Sequence, residues 1–344
     1  MPSHKPIKVS ILAVNNTSPS TLYGLFDVLS SVGMGWETCV TGEPVEPQFD
    51  VRIVTSDNQQ ITCSGDVLVA PHLGVEDDLD TDIIIIASLV CLASGPPQDV
   101  DPRVVAWILR HQDRGIQIAS ACTGAILLAH AGILNGWEAS SHFAYSDLFR
   151  IHFPDIKMRM EQNLCVSGPG NSIITTGGTT AWQELALYLT TRYCGIDHAM
   201  RTAKFWLIPD RDVNQASFSS LCKGIPHNDG AINQSQMWIS KRPQIENPVA
   251  EMTALSGLPS TTFARRFKKA TGFSPIDYVH LLRMEQAKLM LESDKDTVDK
   301  VGRTVGYEDT SSFRRIFKRK VGLTPGIYRQ KFGRGRFEKF IQMD

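Results

Sequence analysis

Residues 248–275 read PVAEMTALSGLPSTTFARRFKKATGFSP, and residues 297–325 read TVDKVGRTVGYEDTSSFRRIFKRKVGLTP. The two stretches carry one pattern twice. Each has an apolar-periodic helix, a short turn holding Gly257 or Gly306, a second helix rich in Arg and Lys, and a Gly-x-Ser/Thr-Pro exit. Two helices joined by a tight glycine turn, the second of them basic, are the signature of a helix-turn-helix. Two copies about fifty residues apart can set two recognition helices in successive major grooves, one turn of DNA apart.

Charge separates this tail from the rest of the chain. The net charge of the 344 residues is −1, yet residues 1–240 carry 14 Lys and Arg against 24 Asp and Glu, and residues 241–344 carry 21 against 12. An acidic body with a basic C-terminal module puts the polyanion contact in the module alone.

The seven cysteines form no CxxC pair, and no Cys/His cluster has zinc spacing. They read as reduced thiols, and neither a metal nor a cofactor is expected. The N-terminus has no signal-peptide pattern, and the longest apolar run, 83–93, falls short of the roughly 20 residues of a membrane helix. The expectation is a soluble, cytoplasmic protein of two domains.

Upstream, apolar strands alternate with helical patterns. Strands are predicted at 7–14, 49–55, 67–70, 82–87, 117–121 and 172–176, and helices at 19–32, 102–114, 123–131 and 180–194. Four consecutive isoleucines within 82–87 require a strand buried on both faces, as in a parallel sheet. The alternation predicts an α/β domain with a flavodoxin-like, doubly wound parallel sheet, followed by an all-α domain with two helix-turn-helix motifs. The boundaries expected are 1–212 for the α/β domain, 213–232 for a linker, 233–333 for the DNA-binding domain and 334–344 for a tail. A helix over 234–241 opens the second domain.

Within the repeats the apolar residues have core positions. Val249, Met252, Leu255, Leu258, Phe263 and Phe267 answer to Val298, Val301, Val305, Tyr307, Phe313 and Phe317. A bridging helix over 278–291, with Leu281, Leu282, Met284, Ala287, Leu289 and Leu291, holds the modules together. The recognition helices begin near Ser260 and Thr310. Their first turns bring Ser260, Thr261, Ala264 and Arg265, and Thr310, Ser311, Arg314 and Arg315, to base edges. Arg binds the acceptor edge of guanine bidentately, whereas Ser and Thr are permissive. Lys268, Lys269, Lys318, Arg319 and Lys320 follow and meet phosphate, which adds affinity without sequence information. One basic helix alone reads equally well as a solvated face; two in register on a basic domain do not.

This half closely resembles the AraC/XylS family of bacterial transcription regulators over about residues 234–332. The resemblance rests on Ala254-Leu255-Ser256-Gly257, Phe263-Ala264-Arg265-Arg266-Phe267-Lys268, Gly272-Phe273-Ser274-Pro275, Val305-Gly306-Tyr307, Ser312-Phe313-Arg314-Arg315, Phe317-Lys318 and Gly322-Leu323-Thr324-Pro325. It implies double-stranded DNA as a partner and a module that recruits or positions RNA polymerase.

In the α/β half, residues 117–129 read QIASACTGAILLA. A strand runs into Cys122, and a helix follows at once. Such an elbow exposes a side chain beside the N–H groups of a helix start, which also lowers a thiol pKa. A buried cysteine at a strand end is the plainer reading of this segment alone. The segment resembles the PfpI-like, class I glutamine-amidotransferase-like superfamily, and more narrowly the GlxA-type regulators. The motifs are Leu22-Tyr23-Gly24-Leu25-Phe26-Asp27-Val28-Leu29, Ala121-Cys122-Thr123-Gly124-Ala125, Ala131-Gly132-Ile133-Leu134, Ser140-Ser141-His142-Phe143 and Thr175-Thr176-Gly177-Gly178.

Enzymes of this superfamily set an acid beside the cysteine, and alignment puts Thr21 there. Protease-like members follow the cysteine with His, where this chain has Thr123. Without a proton partner a thiol is a poor nucleophile, so the resemblance implies a retired active site kept as a ligand pocket. Its wall lies at the C-terminal ends of the strands. Thr21, Tyr23, Cys122, Thr123, His142, Thr179 and Trp182 are the candidate ligand-binding residues, Tyr23 and Trp182 as aromatic faces for a cationic group. Trp182 as a core or dimer-interface residue is an equal alternative. The resemblance implies an amino-acid or quaternary-amine effector and a homodimer. A cysteine-dependent hydrolase or hydratase, or a thiol oxidation sensor, would use the same Cys122. The missing acid at Thr21 discriminates against the enzyme.

Overall fold

The computed structural model describes residues 5–42, 46–78, 80–90, 100–178, 180–209, 215–218, 227–293 and 295–334. The chain forms two compact units, Met1–Gln215 and Ala216–Asp344. No described helix is long and apolar enough to cross a membrane.

The first unit is built on a seven-stranded sheet. In chain order its strands are β1 (Ile7–Leu12), β2 (Phe49–Thr55), β3 (Leu73–Gly74), β4 (Ile83–Ile86), β5 (Gln117–Ser120), β6 (Leu164–Ser167) and β7 (Ile173–Thr176). Their spatial order is β6-β7-β5-β4-β1-β2-β3, with every pair parallel except β6 and β7. The four isoleucines of β4 are fully buried, as their run demanded. The chain reverses its direction of travel across the sheet between β1 and β4, which makes the C-terminal end of those strands the switch point of a doubly wound fold.

One face of the sheet is covered by α1 (Pro19–Ser30) and α5 (Trp182–Cys194), where Leu22, Leu25, Val28 and Leu29 meet Leu185 and Leu189. The other carries α2 (Pro102–Asp113), α3 (Ala125–His130) and α4 (Ser146–His152), with Trp107, Ile108, Leu128 and Phe149 in the core. Helix α6 (Ile196–Phe205) follows α5 across Gly195.

Two expectations change in detail. The strand predicted at 67–70 is only Leu68–Val69, paired with Ile61–Thr62 in a separate ribbon. Strand β6 was not expected. Its apolar run, Leu164 to Val166, is too short to stand out in the sequence, and as the antiparallel edge it has a single strand neighbour. Among the cysteines, Cys39, Cys63, Cys122, Cys165 and Cys194 are free thiols. Cys91 and Cys222 lie outside the described residues.

The second unit contains seven helices among its described residues: α7 (Gly230–Ser240), α8 (Pro248–Ser256), α9 (Ser260–Thr271), α10 (Pro275–Glu292), α11 (Val298–Thr304), α12 (Thr310–Val321) and α13 (Pro325–Phe332). Helix α7 starts four residues before the predicted 234 and so takes in the end of the expected linker. Asp229 sets that start, because its side chain caps Ile232 N–H. The repeated exit has a local cause in both copies. Gly272 and Gly322 close α9 and α12 in the left-handed conformation, at φ +82° and +86°. Ser274 and Thr324 then cap the next helix, and Pro275 and Pro325 fill its first position.

Helix α10, about 27 Å long at 18 residues, packs against α8, α9, α11, α12 and α13. Phe263, Phe267, Phe313 and Phe317 are fully buried, as expected. Leu255 and Leu289, also expected in the core, are exposed. The buried stripe of α10 runs through Val279, Arg283, Ala287 and Leu291, and Leu289 falls off it.

Candidate functional site

Two regions could carry function, one in each unit. In the first, β5 delivers Cys122 to its C-terminal end. Ala121 is still extended, Cys122 turns to φ +55°, and Cys122–Gly124 forms a single turn of 3-10 helix leading into α3. A left-handed conformation is unfavourable for a non-glycine residue, and here it makes the turn of the predicted elbow, although the Cys122 side chain is buried there and not exposed as expected. Gly124 is needed for space, since a Cβ there would collide with the carbonyl oxygens of Ile86 and Ala87. Cys122 itself is 3 % exposed.

The predicted wall residues take separate positions around this elbow. Thr123 is held by the segment beside the elbow. Its hydroxyl accepts from Leu89 N–H at 2.7 Å, donates to the Leu89 carbonyl and meets Ser88 Oγ at 3.0 Å. Ser88 and Leu89 also hold the entry to α1, through Ser18 N–H to the Ser88 carbonyl and a bridge between Thr17 and Leu89. Elbow and α1 entry are thus tied to one short segment. Thr21, on the first turn of α1, is fully buried and its hydroxyl has no hydrogen-bond partner.

His142 stands half-buried beside Phe143, with ring centroids 4.5 Å apart. Its Nδ1 accepts from Ala144 N–H at 3.1 Å and caps a short 3-10 turn. Burial pushes the imidazole below its ordinary pKa, so the neutral form is favoured. The preceding Ser141 donates its hydroxyl to the Cys122 carbonyl at 2.9 Å, which places this loop against the elbow. Trp182 packs on α1, where a Cβ at Gly24 would lie 2.5 Å from the indole, and it joins the apolar core on that face. Tyr23 is 38 % exposed on the same helix. Thr179 lies outside the described residues.

One residue that the sequence reading missed sits in the middle of this region. Gln215 is 4 % exposed, and its carboxamide reaches Ser141, Gln162 and Phe143. Gly177 makes room for it, since any Cβ there would collide with the amide. The Gly177-Gly178 pair was the only signal in the sequence that something approaches closely at this turn. A groove of about 410 Å³ also exists, lined in part by Lys8, Ser30, Phe49 and Asp50. It lies at the opposite, N-terminal ends of β1 and β2.

In the second unit, α9 and α12 begin at Ser260 and Thr310, as predicted. Their buried Phe pairs fix the helical phase and make Arg265 equivalent to Arg315 and Lys268 equivalent to Lys318. Ser260, Thr261, Arg265, Lys268 and Lys269 are exposed on α9, and Ser311, Arg314, Arg315 and Lys318 on α12; Thr310 is partly buried. Asp309 caps α12 by accepting from Ser311 and Ser312 N–H at 3.0 and 2.9 Å.

Not every cation is equally available. Arg314 is ion-paired with Asp299 at 2.8 Å, and Arg266 with Asp229 at 2.7 Å. Lys320, expected at phosphate, pairs with Asp277 at 2.8 Å. Arg265, Lys268, Lys269, Arg315 and Lys318 have no ion-pair partner among the described residues.

Comparison with known proteins follows this division. Residues 8–191 match the DJ-1/PfpI family, and residues 252–331 match a helix-turn-helix domain. The chain is 24 % identical over 250 residues to the HTH-type transcriptional regulator GlxA of Rhizobium meliloti (strain 1021), covering 71 % of this chain and 75 % of that one. It is 22 % identical over 279 residues to the HTH-type transcriptional regulator GbdR of Pseudomonas aeruginosa (strain UCBPP-PA14), covering 80 % and 73 %. The chain is also similar to an isonitrile hydratase of Pseudomonas putida, 27 % identical over 197 residues, covering 56 % of this chain and 75 % of that one.

Proposed function

We infer the function of this chain from its family as premise: it belongs to the DJ-1/PfpI family, and with its AraC-type helix-turn-helix domain it is a transcriptional regulator of the GlxA and GbdR type. The finer reading is a sequence-specific binder of double-stranded DNA whose first unit senses a small metabolite without turning it over. Amino acids and quaternary amines are the effector classes to test first. Homodimerisation through the first unit, and action on RNA polymerase, complete the reading. The exposed Ile196 and Met200, one turn apart on α6, support a protein-contact face there.

The observation that carries DNA recognition is the repeated exposed face Thr261/Arg265/Lys268 and Ser311/Arg315/Lys318 over two helices of equal length and the same buried Phe spacing. Arg265→Ala and Arg315→Ala are each expected to cost about 1–3 kcal/mol of specific binding and to relax the preference at one base position. Lys269→Ala should weaken all sequences alike. Binding of randomised duplexes, followed by sequencing, separates the two outcomes. Preference altered by Lys269→Ala and untouched by the arginines would put the helices in another phase.

A sensor without turnover is supported by Thr21, a buried hydroxyl at the acid position, and by His142, whose Nδ1 is engaged in a cap. The enzymatic alternative draws on the elbow at Cys122 and on the similarity to the hydratase. Purified protein should leave isocyanide, amide, methylglyoxal and peptide substrates unchanged, and Cys122→Ser should retain DNA binding. Turnover that disappears in Cys122→Ser would establish the enzyme instead.

A further inference from the structure

The carboxamide of Gln215 is recognised as a ligand would be. Its Nε2 donates to the main-chain oxygens of Ser141 and Gln162, both at 3.0 Å, and to Ser140 Oγ at 3.3 Å. The Ser140 hydroxyl proton is already given to the Gln162 carbonyl at 2.6 Å, so this oxygen faces Gln215 as an acceptor. On the other side, Phe143 N–H donates to Gln215 Oε1 at 3.2 Å. The slot therefore offers three acceptors for one nitrogen and one N–H donor for one oxygen. No charged side chain contacts the amide in this set. Gly177 supplies the floor because nothing larger than hydrogen leaves room for the amide.

This arrangement selects chemistry sharply. A primary carboxamide satisfies both sides. A carboxylate puts oxygen against three acceptors with no proton between them. A quaternary ammonium has no N–H to give. Burying an unmatched polar group is unfavourable, so these groups are disfavoured in the slot. The slot is also joined to the elbow, through Ser141 Oγ and the Cys122 carbonyl.

We propose that this slot is a primary-carboxamide binding subsite, that Gln215 is its internal occupant, and that a small molecule bearing a primary carboxamide competes with Gln215 for it. The proposal rests on the sensing reading above and narrows its effector classes to molecules that carry a primary carboxamide, amino-acid amides among them, at the expense of simple quaternary amines. Gln215 is the last residue of the first unit, and the second begins at Ala216. Release of the side chain is thus transmitted along the covalent chain. A tethered occupant competes at an effective concentration in the millimolar range, so a diffusible amide meets a higher threshold in the wild type than in a chain lacking Gln215.

The test uses the full-length chain and acetamide as probe. Gln215→Ala removes the occupant. Gln215→Glu keeps its size but sets an oxygen against the three acceptors, which provides a second emptied slot if the alanine variant fails to fold. In thermal unfolding, acetamide should stabilise both variants by mass action, at concentrations at least about tenfold below those needed for the wild type. Acetate and tetramethylammonium should not. Equal response of wild type and variants, or no response specific to acetamide, would overturn the proposal. Duplex binding by the same samples without acetamide reads the regulator function by itself, so loss of the subsite and loss of the regulator reading are told apart.

Discussion

Raising monovalent salt from about 50 to about 200 mM lowers the affinity of the full chain for DNA by about a thousandfold. The expectation comes from counting cations on the two recognition helices. Arg265, Lys268 and Lys269 on α9 and Arg315, Lys318 and Arg319 on α12 are all exposed. If these six cations neutralise about six phosphate charges, Arg265 and Arg315 from within the groove while they read bases and the other four at the backbone, and each releases a condensed counterion, the slope of log K against log salt is about −5. The first unit, with its excess of acidic residues, contributes nothing to that slope. Removing Lys268 and Lys269 together should flatten it by about two units, while Lys320→Ala should barely move it, since Lys320 is held by Asp277. Titration of fluorescent duplex at four salt concentrations reads the slope directly. A flat dependence would remove these helices from the phosphate backbone.

Such a count is possible because most of the second unit was legible from short-range signals. The Gly-x-Ser/Thr-Pro exit is a helix stop, a cap and a helix start within four residues, and each part acts locally. The phenylalanines at 263, 267, 313 and 317 fixed the buried face and with it the exposed one. The elbow at Cys122 was legible for the same reason, as a strand, a turn and a helix in direct succession. Pairings over long sequence separations were not. Asp229 reads as one more polar residue of a linker until Arg266, 37 positions later, is placed beside it. Gln215 lies in a stretch without periodicity, and its partners are 53 to 75 residues away. Thr123 was expected in a pocket wall, and Trp182 there or equally in the core, because motif order gives a position on the chain. It does not give the direction of a side chain, and both are engaged in packing and hydrogen bonding to neighbouring elements.

Arg283 is the most consequential of these distant pairings. On sequence it is one polar position of a long helix. In the fold it is 7 % exposed and has no carboxylate partner among the described residues. Its guanidinium donates to three main-chain oxygens, those of Pro243 at 2.7 Å, Ile245 at 2.9 Å and Gly306 at 2.9 Å, and lies over the ring of Tyr307. Gly306 is the turn of the second helix-turn-helix, and 243–245 is the approach to α8 in the first. A side chain at Gly306 could not be accommodated, because the backbone of Gln244 lies 2.7–3.0 Å from the position of its Cβ. One planar fork therefore fastens the turn of one motif to the entrance of the other.

Arg283→Met keeps much of the volume and strands those oxygens, for an expected loss of about 3–5 kcal/mol in unfolding free energy. Against a total of about 5–15 kcal/mol for a typical domain, that is a large fraction. Arg283→Lys should recover only part of it, since a single ammonium on a flexible stem cannot reproduce the fork. Urea unfolding of the full chain measures the change through the transition of the second unit. DNA affinity should fall with the folded fraction while the salt slope stays unchanged, because Arg283 is buried away from any phosphate. A variant as stable as the wild type would show that the two motifs hold their spacing through apolar packing against α10 alone.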